Sequence, residues 1–179
     1  MRLPPRYIGV CLHFLMLFSL LGCRVTPSLP SHQHQEALTH LLASLDESIP
    51  PQEAYALSRD IFLYTARLTE RFALVRPPWF HNTLVNLGLR QKGLCYHWSD
   101  ALYLHLHEGE YPHFDFLLSG ANIGSYWFEH NSVVVVAKGH SFEEGVVLDP
   151  WRNSGELFFS KVTEDKAYHW VHRSEREPF

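Results

Sequence analysis

The 179-residue chain has only three cysteines, at positions 11, 23 and 95. The first two lie in or just after an apolar N-terminal stretch, so Cys95 is left alone and a disulfide framework is excluded. Neither a Cys pair nor a His-Glu-x-x-His pattern occurs, so the 13 histidines do not read as a zinc site. His105 and His107, two apart on one helix, point in different directions. No metal and no cofactor is expected. An excess of positive charge is missing too. The formal net charge is −4, and −6 once Arg2 and Arg6 are set aside with the leader, so nothing calls for nucleic acid. There is no internal repeat and no low-complexity block. The apolar run from Ile8 to Leu21 falls short of the about 20 residues of a comfortable membrane span.

What is present at the N-terminus is a basic start, a short apolar core and the sequence Leu20-Leu21-Gly22-Cys23. Those features describe a secretory signal. A Cys directly after Leu-Leu-Gly resembles the lipobox of bacterial lipoproteins. That resemblance implies cleavage after residue 22, acylation of Cys23, and anchoring on a membrane by several acyl chains. Arg24 follows where an Asp would favour retention in the inner membrane, so the expected location is the cell envelope, on the outer membrane facing the periplasm. An ordinary signal peptide with a chance Cys, or an uncleaved anchor, are the alternatives. Residues 23–34 read as a lipidated flexible tether. Residues 35–179 are the size of one domain, and at 46% hydrophobic and 14% aromatic residues the chain can bury a core.

Leu38, Leu41, Leu42 and Leu45 recur at helical spacing. Pro50-Pro51 opens a second helix from about residue 52 to 72, and Pro77-Pro78 precedes a third over about 80–87, closed by Gly88. A fourth helix begins at Leu94 or Cys95, ends near His107, and is apolar on most faces, which predicts a central, buried position. Beyond Gly109 the pattern becomes strand-like: 114–118, 132–137 with Val133 to Val136 buried on both sides, 146–148 ended by Asp149-Pro150, then 157–159 and 168–171. Helices first and strands later predict an α+β fold, with the Cys-bearing helix packed on an antiparallel sheet.

A thiol attacks as thiolate, and its unperturbed pKa is about 8.5. A helix N-terminus and an adjacent imidazolium both favour the anion. Cys95 is expected in the first turn of the fourth helix, where its own N–H can face a developing oxyanion. His130 heads the Val strand and Asp149 ends the next one. Antiparallel neighbours bring those two positions together, and a carboxylate behind a His fixes its tautomer. Each residue alone has a plain reading: a buried inert Cys, a structural His, a turn-forming Asp. His140, in a Gly-bounded turn, rivals His130 but belongs to the far end of the Val strand. Gln91 is a candidate oxyanion donor, or simply a loop residue in contact with solvent. Trp98 and Trp151 read as core aromatics.

Gly93-Leu94-Cys95, His130 before Val133 to Val136, and Leu148-Asp149-Pro150-Trp151 together resemble the transglutaminase-like superfamily, a papain-like fold that includes bacterial cysteine peptidases. The resemblance spans roughly residues 88–159. It implies Cys95 as nucleophile, His130 as general base and acid, and Asp149 as the orienting group. The family commonly carries an aromatic residue soon after the His; here Asn131 and Ser132 follow. The implied activity is thiol-mediated acyl transfer or amide hydrolysis on a protein or peptide, with peptidoglycan peptide among the candidates. A non-catalytic binding or scaffolding lipoprotein and a peptidoglycan amidase of the related cysteine type remain as alternatives.

Overall fold

The computed structural model describes residues 24–27 and 29–178. The expected signal segment and Cys23 lie outside the described residues. Helix α1 spans His32–Ala43, α2 Pro51–Arg71, α3 Pro78–Asn86 and α4 Cys95–Glu108. Strands β1 (Phe114–Ala121), β2 (His130–Ala137), β3 (Val146–Asn153), β4 (Glu156–Lys161) and β5 (Val171–His172) follow. All pair antiparallel in one sheet of order β4-β3-β2-β1-β5. The fold is thus mixed α and β, helices first and an antiparallel sheet after, as the pattern predicts.

Local chemistry explains the helix starts. Ser31 Oγ accepts the His34 N–H and caps α1. Pro51 and Pro78 each occupy the first helical position, where the missing N–H costs nothing. The apolar stripe of α2 (Ala54, Leu57, Ile61) and the inner face of α4 (Leu102, Leu106) meet one face of the sheet. Phe114, Phe116, Val133, Val135, Val146 and Leu148 supply that face. Val134, Val136 and Val147 point the other way, under Phe142, Val162 and Trp170. Covering both faces is what permits an unbroken Val run in β2.

Several boundaries differ from the sequence reading. The strand expected over 168–171 is reduced to Val171–His172, residues 168–170 lying outside any strand, and β1 runs on to Ala121 rather than ending at 118. β3 does not end at Asp149 but continues to Asn153, with a register shift between Asp149 and Asn153. Its pairing with β2 extends from Val146↔Val135 to Leu148↔Val133, so Pro150 lies beyond that ladder, where its lack of an N–H is harmless. The stretch expected as a flexible tether is held at its start: Arg24 bridges Val75, the Val25 N–H donates to the Leu74 carbonyl, and Val25 packs against Leu74 and Trp98. Helix α1 already begins at His32. Among the described residues no helix is long and apolar enough to cross a membrane.

Candidate active site at the start of helix α4

Two local devices fix the turn into α4. Gly93 has φ +129°, a conformation that L side chains rarely adopt, and a Cβ there would lie 2.1 Å from His81 Nε2. Glycine is therefore required twice over. His81 is fully buried; its Nδ1 accepts from the Val75 N–H (3.3 Å) and its Nε2 faces the Lys92 carbonyl (2.9 Å). Burial, with Arg90 nearby, holds its pKa below the usual imidazole value against the Lys92 hydrogen bond, in keeping with a neutral ring. Leu94, the N-cap residue, has no side-chain acceptor to offer. His97 substitutes for it: its Nδ1 accepts from both Gly93 N–H and Leu94 N–H at 3.2 Å. Burial and the Lys92 charge lower its pKa too, which keeps Nδ1 available as an acceptor. Trp98 Nε1 donates to the Gly93 carbonyl and closes the turn.

Cys95 is thereby the first residue of a 14-residue helix. Its N–H is one of the amides that a helix start leaves without an intrahelical acceptor. Cys95 as a residue is partly exposed. Sγ lies 3.9 Å from the Glu129 carbonyl oxygen and 3.9 Å from Asn131 Nδ2, which places it against the entry of β2.

His130, the first residue of β2, is 2% exposed, and Asp149 is fully buried. Their contact, His130 Nε2 to Asp149 Oδ2, is 2.7 Å. Register explains it: Val133 pairs with Leu148, so the odd-numbered Val147 and Asp149 share a face with the even-numbered Val134, Ser132 and His130. Asp149 receives three further bonds, from Trp151 N–H (3.1 Å), Arg152 N–H (3.2 Å) and Arg152 Nε (2.6 Å). Burial alone would raise the Asp149 pKa, but His130 and Arg152 outweigh it and hold the carboxyl below its usual range. Arg152 is itself braced by Asp165 and lies 3.8 Å over the Phe158 ring.

The other His130 nitrogen, Nδ1, is buried and has no hydrogen-bond partner among the described residues. Cys95 lies nearby, its sulfur against the residues on either side of His130. Burial pushes the imidazole pKa down; the Asp149 hydrogen bond, with the nearness of Asp149 and Cys95, overcomes this and raises it to about 9. The ring is enclosed by Trp151 (4.7 Å), Tyr168 (4.7 Å) and Trp170 (5.3 Å). Trp151 donates from Nε1 to Asn82 Oδ1, so α3 also steadies the site.

Cys95, His130 and Asp149 are therefore brought together, and Gln91 is not part of that group. Gln91 is exposed and lines a separate hollow with Arg71, Phe72 and Leu89. Asn131 offers the nearer amide. It is buried, points its Nδ2 at the sulfur, and leaves Oδ1 without a hydrogen-bond partner among the described residues. Trp98 is a core aromatic packed edge-on to Phe72, as expected, whereas Trp151 touches the His130 imidazole. His140 sits at the opposite end of β2, paired with Asp46 at 3.2 Å and near Glu144. His105 pairs with Asp60, and His113 with Glu53. Residues missed in the sequence are Arg152, Asp165, Tyr168 and Trp170, which no short spacing connects to His130, and His81, which no motif marks and which meets Gly93 only through the fold.

The chain matches no family model, no curated protein and no solved structure.

Proposed function

We propose that the chain is a membrane-anchored lipoprotein whose domain carries out thiol-mediated acyl transfer or amide hydrolysis, with the arrangement of a transglutaminase-like, papain-like fold. The observation that carries the reading is the buried 2.7 Å His130–Asp149 pair, its second imidazole nitrogen unpartnered, with the Cys95 sulfur 3.9 Å from groups on both neighbours of His130. A merely structural histidine has no need of a buried carboxylate at one nitrogen while the other is left unpartnered near a cysteine. The Cys-His-Asp order, and a cysteine-headed helix crossing an antiparallel sheet, support the family resemblance.

In the reaction, the Cys95 thiol gives its proton to His130 and the thiolate attacks the carbonyl carbon of an amide. The C=O pair moves onto oxygen. The Cys95 N–H and the Asn131 side-chain N–H are the donors placed to meet that oxyanion. His130 then protonates the leaving nitrogen, the C–N bond breaks, and a thioester remains on Cys95. Water or an amine attacks the thioester, His130 takes its proton, the C–S bond breaks, and the thiol is restored on protonation. Asp149 holds the imidazole in orientation and stabilises its cationic form throughout. The substrate is a protein or peptide amide, peptidoglycan peptide included.

The test is intact-mass spectrometry of the full chain after incubation with glutamine-containing peptides or with peptidoglycan fragments. The expected result is an acyl adduct on Cys95 that hydroxylamine removes, together with released amine. Failure of every amide to acylate Cys95 or to be cleaved would favour the scaffolding reading. Palmitate incorporation that survives Cys23→Ala would remove the lipoprotein assignment.

A further inference from the structure

The loop between β1 and β2, residues 122–129, carries four large apolar side chains that the body does not cover. Ile123 is 49% exposed, Tyr126 88%, Trp127 79% and Phe128 72%. The loop is not loose. Ser125 N–H donates to the Asn122 carbonyl, Phe128 and Glu129 N–H both donate to the Ser125 carbonyl, and Asn122 Nδ2 donates to the Phe128 carbonyl. Its single charge, Glu129, is held by the Gly124 N–H at 2.9 Å and by Arg173 Nη1 at 2.7 Å. The backbone thus presents a neutral tip of three aromatic rings and an isoleucine. Burying such rings is strongly favourable in water, so their consistent exposure on a braced loop marks a binding surface.

The position of that tip narrows its occupant. Phe128 and Glu129 lead directly into His130, and the Glu129 carbonyl is 3.9 Å from Cys95 Sγ. The N-terminal attachment point is linked to the cysteine turn by a short series of contacts. Arg24, the first described residue, bridges Val75; Val75 N–H donates to His81; His81 faces the Lys92 carbonyl and abuts Gly93; Cys95 follows two residues on. The apolar stretch from Ile8 to Leu21 and Cys23 all precede Arg24. Whichever of them contacts the membrane, Arg24 is at most a few residues away. The domain therefore has no long tether with which to turn its thiol end away from the lipid.

We infer that the Ile123–Phe128 tip docks into the interfacial layer of a lipid bilayer, so that the Cys95–His130 cleft faces the membrane surface and draws its amide substrate from there. Trp and Tyr are the residues that favour the level of the lipid headgroups, and a tip without charge needs no anionic lipid to bind. The inference rests on the membrane-anchor reading above; it does not require catalysis.

The test uses the full chain reconstituted in phosphatidylcholine vesicles, with and without bromine atoms on the acyl chains near the headgroups. Bromine quenches tryptophan fluorescence on contact. The wild type should be quenched in brominated vesicles, and Trp127→Phe should lose most of that quenching while floating with the vesicles as before. Tyr126→Ser with Phe128→Ser should reduce quenching of the remaining Trp127. If Trp127→Phe leaves the quenching unchanged while the chain still floats, docking is overturned and the anchor stands. If the chain does not float at all, the anchor reading fails and docking falls with it. Trp127 emission that shifts with protein concentration but not with brominated lipid would overturn docking in favour of a second copy as the occupant.

Discussion

Asp149→Asn isolates the electrostatic heart of the site. In the wild type burial disfavours a charged His130, yet its pKa is raised from 6.5 to about 9, with the Asp149 hydrogen bond the largest raising contribution. At about 1.4 kcal/mol per pH unit, that gap is roughly 3 kcal/mol of net preference for the cation. The substituted amide keeps an oxygen near the ring but no charge, while the burial penalty stays. The His130 pKa should then fall toward or below 6.5. Cys95 also contributes to the His130 shift, so the comparison belongs in a Cys95→Ser background. The assay is the pH titration of the His130 Cε1–H resonance, with denaturant unfolding across the same range. A raised native pKa stabilises the fold fully below 6.5 and loses that contribution as pH climbs through the native value. Cys95→Ser removes the cysteine's share of the raise but keeps that of Asp149, so it should lose stability as pH climbs above 6.5, and the double variant should show a flatter profile. An imidazole that still titrates near 9 in the Asp149→Asn variant would refute the reasoning.

Other consequences are more local. Gly93→Ala meets both a positive φ and a 2.1 Å approach to His81, so it should destabilise by more than the about 1–2 kcal/mol of left-handed strain alone, read as a lower denaturation midpoint. Asn131→Leu removes the side-chain oxyanion donor and should slow acylation of Cys95 by about 100-fold, with His130 still titrating high. Leu102→Ala, at the fully buried face of α4, should cost about 2–5 kcal/mol in unfolding while leaving thiol chemistry intact in the folded fraction.

Much of this architecture is legible along the chain because it is local or periodic. The leucines of α1, the Pro-opened α2 and α3, and the Val run of β2 each declare themselves by spacing and punctuation. The pairing of His130 with Asp149 follows from antiparallel neighbours joined by a short turn. What periodicity cannot encode is the return of the chain after β4. That segment brings Tyr168 and Trp170 around His130 and Asp165 against Arg152, then pairs β5 with β1 on the other side of β2 and β3. Asn131 is visible only as a departure from an aromatic position; its role depends on a side chain turned toward the helix face. Gln91 misleads for the opposite reason. It is close to Cys95 in sequence, but the turn at Lys92-Gly93 separates their surroundings.

The most direct measurement of the central claim is the rate at which iodoacetamide alkylates Cys95 at pH 7 in the wild type and in His130→Ala, with both proteins shown folded. A thiol coupled to the imidazole should react on the order of 100-fold more slowly once that imidazole is gone. Equal rates in the two proteins would contradict the account and leave His130 and Asp149 as a buried structural pair.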